Sequence, residues 1–229
     1  MWGLLTPPEA THLTHCALFR GSFTPAASAA IGGVSAADLQ ALVHKSLLHP
    51  IGEERFALHE LVRQFAAEQL ARNHAEQVAV AAGHAAYYMA LLQAQETALV
   101  TRAEAQSLLQ SELDNLRAAW QWSVAQGELA LLAQGANGFF TFYGLAGLYH
   151  EALQQLASAF VTVRQLHAAT PTDVAVPRLL AHLLTHAADF HQRLGALTTS
   201  ERLAEEALAL GQGVADAAIQ AFAYHVLMY

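Results

Sequence analysis

Charged side chains are scarce in this sequence of 229 residues, of which only 13% are Asp, Glu, Lys or Arg. A typical globular domain carries about 25% charged residues, so much of this surface is expected to pack against other protein surface. The 11 Lys and Arg are outnumbered by 19 Asp and Glu, which gives a formal net charge of −8. Because a DNA-binding surface needs clustered cations to neutralise phosphates, this balance argues against a nucleic acid as the partner.

Cysteine is represented by Cys16 alone, which excludes an intramolecular disulfide and indicates a reducing, cytoplasmic setting. The first residues, MWGLLTPPEATH, lack the basic segment and the long apolar core of a signal peptide. The stretch 128–149 approaches the length of a membrane span, but Gln134, Asn137 and several glycines interrupt it. We therefore expect a buried helical hairpin at 128–149 and no contact with a membrane.

Alanine and leucine dominate the composition and both favour helices, so the predicted fold class is all-α with one short β-hairpin. Residues 1–73 are predicted to form a winged-helix-like domain of three helices, a hairpin and a further helix. The helix-start signals are Thr24-Pro25 and a Ser35 followed three residues later by an acidic residue. The hairpin is indicated by Pro50 and Gly52 ahead of an alternating apolar run.

Residues 74–127 are predicted to form two long connecting helices. The second contains the sequence SELDNLRAAWQW, where apolar residues advance by three and four positions, as on one face of a helix. The polar residues between them raise the question of a catalytic cluster. Since the sequence shows no shared cavity for them, they are predicted to lie on the solvated side of the helix. These residues are Glu112, Asp114, Asn115 and Arg117.

Residues 128–229 contain an internal repeat with an offset of 48 residues, in which GLYHEALQQLASAF aligns with GALTTSERLAEEAL. Gly147 and Gly195 then occupy equivalent turns, and a linker at 167–177 accounts for the extra length over a tetratricopeptide repeat. We predict an antiparallel helical-repeat solenoid resembling tetratricopeptide repeats. The sequence ends within a predicted helix, so we expect either that the solenoid continues or that this end forms a homodimer.

The order of these segments resembles the region downstream of the ATPase module in STAND-class bacterial signalling ATPases, which include AfsR-like, MalT-like and LuxR-type regulators. CALFRGSFTPAASAAIGG is similar to the segment after the ATPase core, and ERFALHELVRQFAAEQL to the wing and its following helix. LQALVHKSLL resembles a leucine-rich helix of the family, and ELDNLRAAWQW resembles the signature at the start of its helical repeats. The resemblance covers nearly the whole sequence.

The sequence departs from this family because it contains no P-loop, GxxxxGK[ST]. The resemblance therefore implies only the arm of such a regulator, in which the winged helix packs against an ATPase module in cis or in trans and the repeats sense an effector or partner. We predict neither a cofactor nor a catalytic residue. The sequence also lacks a nucleophile elbow and a Gly-rich nucleotide fingerprint, so an enzyme is not expected.

Two kinds of site remain as candidates. His182 and His186 have the i,i+4 spacing of a helical zinc-ligand pair, but thirteen histidines make such pairs frequent by chance, and no metal site is predicted. A binding groove in the repeats is the stronger candidate, with aromatic residues near the Gly147 turn and arginines further along. Its predicted members are Phe139, Phe142, Tyr143, Tyr149, Arg178 and Arg193.

The sequence thus predicts a non-catalytic regulatory or sensor arm of a bacterial signal-transduction or transcriptional regulator, which binds a protein partner or a small effector through its repeats. Two alternatives stay open. One is a transcription factor that binds DNA through the winged helix, for which SAADLQALVHKSLL, the predicted recognition helix, has a single lysine. The other is a simple peptide-binding scaffold of the tetratricopeptide type.

Overall fold

The computed structural model describes residues 3, 5–52, 54–169 and 173–228. The chain divides into two compact units. Unit 1 comprises Met1–Ala90 and Ser107–Trp122, and unit 2 comprises Leu91–Gln106 and Ser123–Tyr229. Residues 74–127, predicted as a connecting segment, are shared between the two units.

The described residues form twelve helices and three short strands, which confirms the predicted all-α class with a small hairpin. The first elements are α1 (Pro7–Cys16), β1 (Ser22–Phe23), α2 (Pro25–Gly32), α3 (Ala36–His44), β2 (Leu48–Ile51), β3 (Arg55–Leu58) and α4 (Glu60–Leu70). Three helices follow, each contributing to both units: α5 (His74–Leu99), α6 (Ala103–Ser111) and α7 (Leu113–Gln126). The remaining helices are α8 (Leu129–Leu145), α9 (Tyr149–Ala169), α10 (Ala175–Arg193), α11 (Leu197–Gly213) and α12 (Ala217–Leu227).

The helices of unit 1 begin where the sequence places capping residues. The Thr24 hydroxyl accepts a hydrogen bond from the backbone at the start of α2, and Ser35 and Asp38 form a reciprocal capping box at the start of α3. Each cap satisfies backbone N–H groups that have no partner within the helix. These two predicted helix starts are confirmed.

A third strand joins the predicted hairpin. Strand β3 lies between β1 and β2 and pairs antiparallel with both, with Phe23 opposite Phe56. Strand β1 contains only Ser22 and Phe23. Two residues are too few for an alternating pattern, so this strand exists because of tertiary pairing and not local preference.

A buried carboxylate holds this small sheet to the helices of unit 1. Glu112 lies between α6 and α7, and its Oε1 accepts a hydrogen bond from Arg55 Nη1 at 2.6 Å. Its Oε2 accepts hydrogen bonds from the Tyr88 hydroxyl at 3.1 Å and from Asn115 Nδ2 at 3.0 Å. Because every donor comes from a different element or turn, the carboxylate joins α5, β3 and α7.

The same residues fix the strand β1. Asn115 Nδ2 donates to the carbonyl of Ser22 at 3.0 Å, while its Oδ1 accepts from the backbone N–H of Arg20 at 2.7 Å. The Arg55 guanidinium donates to the Ser22 hydroxyl and carbonyl at 2.8 and 2.9 Å. The segment around β1 therefore has its backbone groups satisfied by side chains that lie far away in the sequence.

The prediction of a solvated polar side for this helix is wrong for Glu112 and Asn115, which are both buried. It holds for Asp114, which is exposed and forms an i,i+3 ion pair with Arg117 at 2.8 Å. The predicted single helix is also interrupted at Glu112, between α6 and α7. Helical periodicity separates two faces of a helix, but it cannot show that the polar face has buried partners on another element.

Replacing Glu112 by alanine is expected to lower the free energy of unfolding by about 3 kcal/mol, because the Arg55 guanidinium would remain largely buried without its carboxylate. The matched control is Asp114→Ala two residues along, which removes an exposed ion pair and should change stability by less than ~0.5 kcal/mol. Urea denaturation of both variants measures the difference. Equal effects would show that the Glu112 carboxylate does not stabilise unit 1.

Unit 2 has the predicted repeat. Gly147 and Gly195 lie at the turns that follow α8 and α10, and both have positive φ angles of 71° and 77°. This left-handed conformation suits glycine because it has no Cβ. The aligned positions Leu156, Ala159, Ala204 and Ala207 are all buried. Of the predicted linker 167–177, residues 167–169 belong to α9 and 175–177 to α10, while 170–172 lie outside the described residues.

Helices α5 and α8 approach very closely within unit 2. A Cβ added at Gly138 would lie 2.6 Å from the backbone oxygen of Leu92, nearer than real Cβ atoms come to a backbone oxygen. A Cβ at Gly144, one to two turns further along α8, would lie 3.6 Å from the nearest Phe190 atom, an ordinary contact. The prediction of a helical hairpin at 128–149 is wrong, because this stretch forms the single helix α8 and the turn after it, and the close packing of α8 on α5 requires Gly138.

Gly138→Ala is expected to destabilise the protein by roughly 1–3 kcal/mol, since the backbone of one helix must move away from the other. Gly144→Ala in the same helix should be neutral or stabilising by up to about 1 kcal/mol, because alanine favours helix and meets no close backbone atom. Thermal and urea unfolding of the pair provide the measurement. A Gly138→Ala variant as stable as Gly144→Ala would contradict the close approach.

Candidate functional site

Unit 2 contains two neighbouring cavities lined by α8 and α10 together with α5 or α12. The first, of about 350 Å³, is lined by residues of α5, α8 and α10. The second, of about 240 Å³, is lined by residues of α8, α10 and α12. Asn137 lines both, so the two cavities adjoin each other, and we call the pair the repeat groove.

Side-chain amides and a carboxylate line the α5–α8 side of the first cavity. Gln134 Nε2 donates to Gln93 Oε1 at 2.9 Å, and Asn137 Nδ2 donates to Glu96 Oε1. Each hydrogen bond joins one residue of α5 to one residue of α8. On both helices the two residues that take part are three positions apart in the sequence. Two hydrogen-bonded pairs of polar side chains therefore line this cavity, together with small apolar residues such as Ala133 and Ala136.

The α10 side of this cavity carries Arg178 and His182. Arg178 Nε lies 3.2 Å from Asp216 Oδ2, and its side chain is about half exposed. Burial lowers the pKa of His182, while the carboxylates of Asp216 and Glu96 act in the opposite direction. The cavity therefore combines acceptors, amide donors and a guanidinium whose charge is partly balanced.

Arg193 lies at the second cavity. Its Nε donates to Asp189 Oδ2 at 2.8 Å, and its guanidinium carbon lies 5.7 Å from the centre of the Tyr149 ring. The hydrogen bond that Arg193 donates to Asp189 is the main cause of the raised pKa of Arg193. Tyr149 stacks in turn on Phe190, so the predicted residues Tyr149 and Arg193 do come together.

The structure corrects the predicted site for three aromatic residues. Phe139, Phe142 and Tyr143 are buried in unit 2, where their rings pack against one another and leave no surface for a partner. Arg178, Arg193 and Tyr149 are exposed or partly exposed. Helical spacing identifies an aromatic stripe, but it does not distinguish a packed stripe from an exposed one.

His182 and His186, the weak metal candidates, line different cavities of the repeat groove. His186 is buried among Phe140, Phe190 and Phe222, and its Nε2 has no hydrogen-bond partner among the described residues. Burial lowers the pKa of His186 to about 3. Within the described ranges, no group of three His, Cys, Asp or Glu residues is arranged to hold a metal ion.

Several groove residues were missed by sequence reasoning, notably Gln93, Glu96, Asn137 and Phe222. The signal that could have found the first three is the matched i,i+3 spacing of polar residues in α5 and α8. That spacing becomes informative only when the two helices are known to pack together, which requires the close approach at Gly138.

Unit 1 contains the predicted recognition helix and Cys16, the one cysteine in the sequence. In α3, the predicted recognition helix, Gln40 and His44 are exposed, and Lys45 just beyond the helix donates to Glu9 Oε2 at 2.6 Å. The lysine charge is therefore already paired with a carboxylate. Cys16 is fully buried, and this burial raises the pKa of its thiol to about 12.

Comparison with known proteins gives relatives over part of the chain. It is 35% identical over 151 residues to proteins of Mycobacterium bovis and of two Mycobacterium tuberculosis strains that are provisionally named HTH-type transcriptional regulators. The match covers 58% of this chain and only 16% of the length of each relative. No protein-family model matches the chain.

A solved structure from Pyrococcus horikoshii, a STAND protein with a tetratricopeptide repeat sensor, aligns with 99% of this chain and 47% of its own, at 16% identity and a TM-score of 0.32.

Among the described residues, no single helix has the length and apolar character needed to cross a membrane. The helices Pro25–Gly32 and Ala36–His44 are together long and apolar enough for a membrane span, but a bend of 107° separates them.

The buried His186 predicts a pH dependence of stability. Its folded pKa lies below the ordinary value of 6.5, so the neutral ring stabilises the fold above pH 6.5, and this contribution is lost as the pH falls towards 3. His186→Phe should therefore lose stability less steeply below pH 6.5 than the wild type, by up to ~1.4 kcal/mol per pH unit.

Urea unfolding at intervals between pH 7.5 and 5 measures this slope. The nearby groups that titrate or carry charge are His182, Asp189, Arg193 and His225, and they are unchanged in the variant. His150→Phe, at an exposed position of α9, is the matched control and should retain the wild-type slope. Identical slopes for all three proteins would contradict the buried neutral state of His186.

Proposed function

We propose that this chain is a non-catalytic sensor segment of a bacterial transcriptional or signal-transduction regulator, and that its repeat groove binds a protein partner or effector. The observation that carries the proposal is the groove itself, in which two cavities share Asn137 and are lined by α5, α8, α10 and α12. The names of the mycobacterial relatives support a role in regulation.

The chemistry of the groove suits an extended peptide segment of a partner. Amide side chains such as Gln93 and Gln134 can both donate to and accept from a peptide backbone. Small apolar residues in the floor leave room for side chains, and Arg178 and Arg193 offer guanidinium groups at separate positions. Binding to such a surface requires positioned hydrogen bonds and not a reactive group, in agreement with a recognition role.

We assign the first part of the chain to a winged helix that acts as a structural connector. Its element order of α1, β1, α2, α3, the β2–β3 hairpin and α4 supports this assignment. The relatives' HTH-type names favour the alternative, a DNA-binding winged helix. The charges favour the connector, because α3 carries Asp38 and the adjacent Lys45 is paired with Glu9.

The mechanism we propose for the parent regulator is steric. The matched segment is a small fraction of the relatives' length, which leaves room for a nucleotide-switch module elsewhere in such proteins. The connector would hold that module closed until a ligand fills the repeat groove. A cytoplasmic location and self-association through the end of the solenoid remain predictions from the sequence.

An array of peptides of varied sequence, followed by fluorescence polarisation with the selected peptides, tests the groove. Arg178→Gln should weaken binding at least about fivefold, because a charge-assisted hydrogen bond at the groove is lost. Arg202→Gln is the matched control. Arg202, like Arg178, is an exposed arginine paired with one carboxylate, but it lies on α11 and lines neither cavity of the repeat groove.

Equal effects of the two variants, or the absence of any selected peptide, would contradict the groove as the binding site. A labelled duplex DNA titrated at low salt serves as the second arm. We expect no sub-micromolar affinity for DNA. Sub-micromolar binding that falls steeply with added salt would favour the transcription-factor alternative.

A further inference from the structure

Unit 1 contains a cavity that the proposed function does not use. Its volume is about 330 Å³, within the range of small-molecule sites, and it is lined by residues of the α1–β1 loop, α5 and α7. Among the lining residues are Leu18, Arg20, Ala81, His84, Gln121 and Trp122. These combine one cation, one imidazole, one amide and one indole with small apolar groups.

Arg20 lines this cavity, and its guanidinium forms no ion pair among the described residues. Seven of the nine other arginines in the sequence each lie within ion-pair distance of an acidic side chain: Arg55, Arg63, Arg117, Arg164, Arg178, Arg193 and Arg202. The backbone N–H of Arg20 donates a hydrogen bond to Asn115 Oδ1. Partial burial and the nearby Arg63 lower the pKa of Arg20, whereas Glu60 raises it.

His84 adds a second group without a partner. The residue is buried, and its Nε2 has no hydrogen-bond partner among the described residues. Its ring packs against Phe19 and Tyr88, which holds its orientation. Burial lowers the pKa of His84 to about 4, so at neutral pH the ring is an uncharged hydrogen-bonding group. A buried polar atom left unpaired is costly, and a ligand that reaches it would remove that cost.

The apolar part of the cavity favours a flat ligand. Trp122 is partly exposed there and offers an indole face, on which planar rings stack with offset geometry. Leu18 and Ala81 complete an apolar wall. The guanidinium fork of arginine matches the two oxygens of a carboxylate, with which it forms a pair of parallel hydrogen bonds.

We propose that this cavity is an effector site for a small aromatic carboxylate, whose carboxylate is bound by Arg20 and whose ring packs on Trp122. The site lies wholly within unit 1, and its occupation does not depend on the repeat groove. The assignment rests on three features of one cavity: an arginine without an ion pair, a buried imidazole whose Nε2 has no hydrogen-bond partner among the described residues, and an indole.

Four probes titrated into the 229-residue chain separate the contributions. Benzoate carries both the charge and the planar ring, benzamide lacks the charge, cyclohexanecarboxylate lacks the planar ring, and inorganic phosphate has only the charge. Isothermal titration calorimetry should give saturable binding of benzoate with a Kd of about 1 mM or lower. Benzamide, cyclohexanecarboxylate and phosphate should each bind at least about fivefold more weakly.

Variants test the two named contacts. Arg20→Gln should weaken benzoate binding roughly tenfold or more, since the bidentate charge-assisted contact is lost. Arg72→Gln, which removes the same charge from an exposed position outside the cavity, should not change the affinity. The indole N–H resonance of Trp122, assigned by its loss in Trp122→Phe, should shift on addition of benzoate in the wild type.

Urea unfolding verifies that each variant is folded before titration. No saturable benzoate binding, equal affinity for benzamide and benzoate, or equal effects of Arg20→Gln and Arg72→Gln would each overturn the proposal. Phosphate binding as tight as benzoate would also overturn it, because the site would then recognise charge without the planar ring.

Discussion

A carboxylate removed from water must be matched by hydrogen-bond donors, and in unit 1 this requirement falls on Glu112. Its two oxygens receive hydrogen bonds from Arg55, Tyr88 and Asn115, which belong to β3, α5 and α7. Removing one partner of a buried ion pair destabilises a protein by more than the intact pair stabilises it relative to apolar residues of similar size. We therefore infer that the network mainly selects one arrangement of the chain over others. The arrangement in which Glu112 has its donors is the one in which the two-residue strand β1 is in place.

The cavity at Arg20 is a consequence of the same network. Asn115 accepts a hydrogen bond from the Arg20 backbone and donates to the Ser22 carbonyl, which holds this loop beside α7. Arg20 lines the cavity together with the buried His84, and among the described residues its side chain lies within ion-pair distance of no carboxylate. In a sequence with a net charge of −8, an arginine that lines a cavity without forming an ion pair is the basis for proposing an anionic effector.

Close helix packing has the corresponding role in unit 2. Gly138 allows α5 and α8 to approach until a Cβ would touch the Leu92 backbone, and this approach brings Gln93 and Glu96 against Gln134 and Asn137. The polar rows of the repeat groove exist because the helices are near enough to pair them. The aromatic residues that the sequence offered as binding residues instead fill the interior behind the groove, where Phe139 and Tyr143 are fully buried.

The sequence by itself determined the all-α class, the hairpin, the helix starts at Thr24 and Ser35 and the equivalent glycine turns at 147 and 195, because capping, turn chemistry and helical periodicity act over a few neighbouring residues. Tertiary structure alone decided that Glu112 and Asn115 are buried and that β1 pairs with β3. It also decided which residues come together around the repeat groove and around the cavity at Arg20. These features join residues as far apart as 95 positions, as Arg20 and Asn115 are, and no local pattern records which distant partner satisfies a polar side chain.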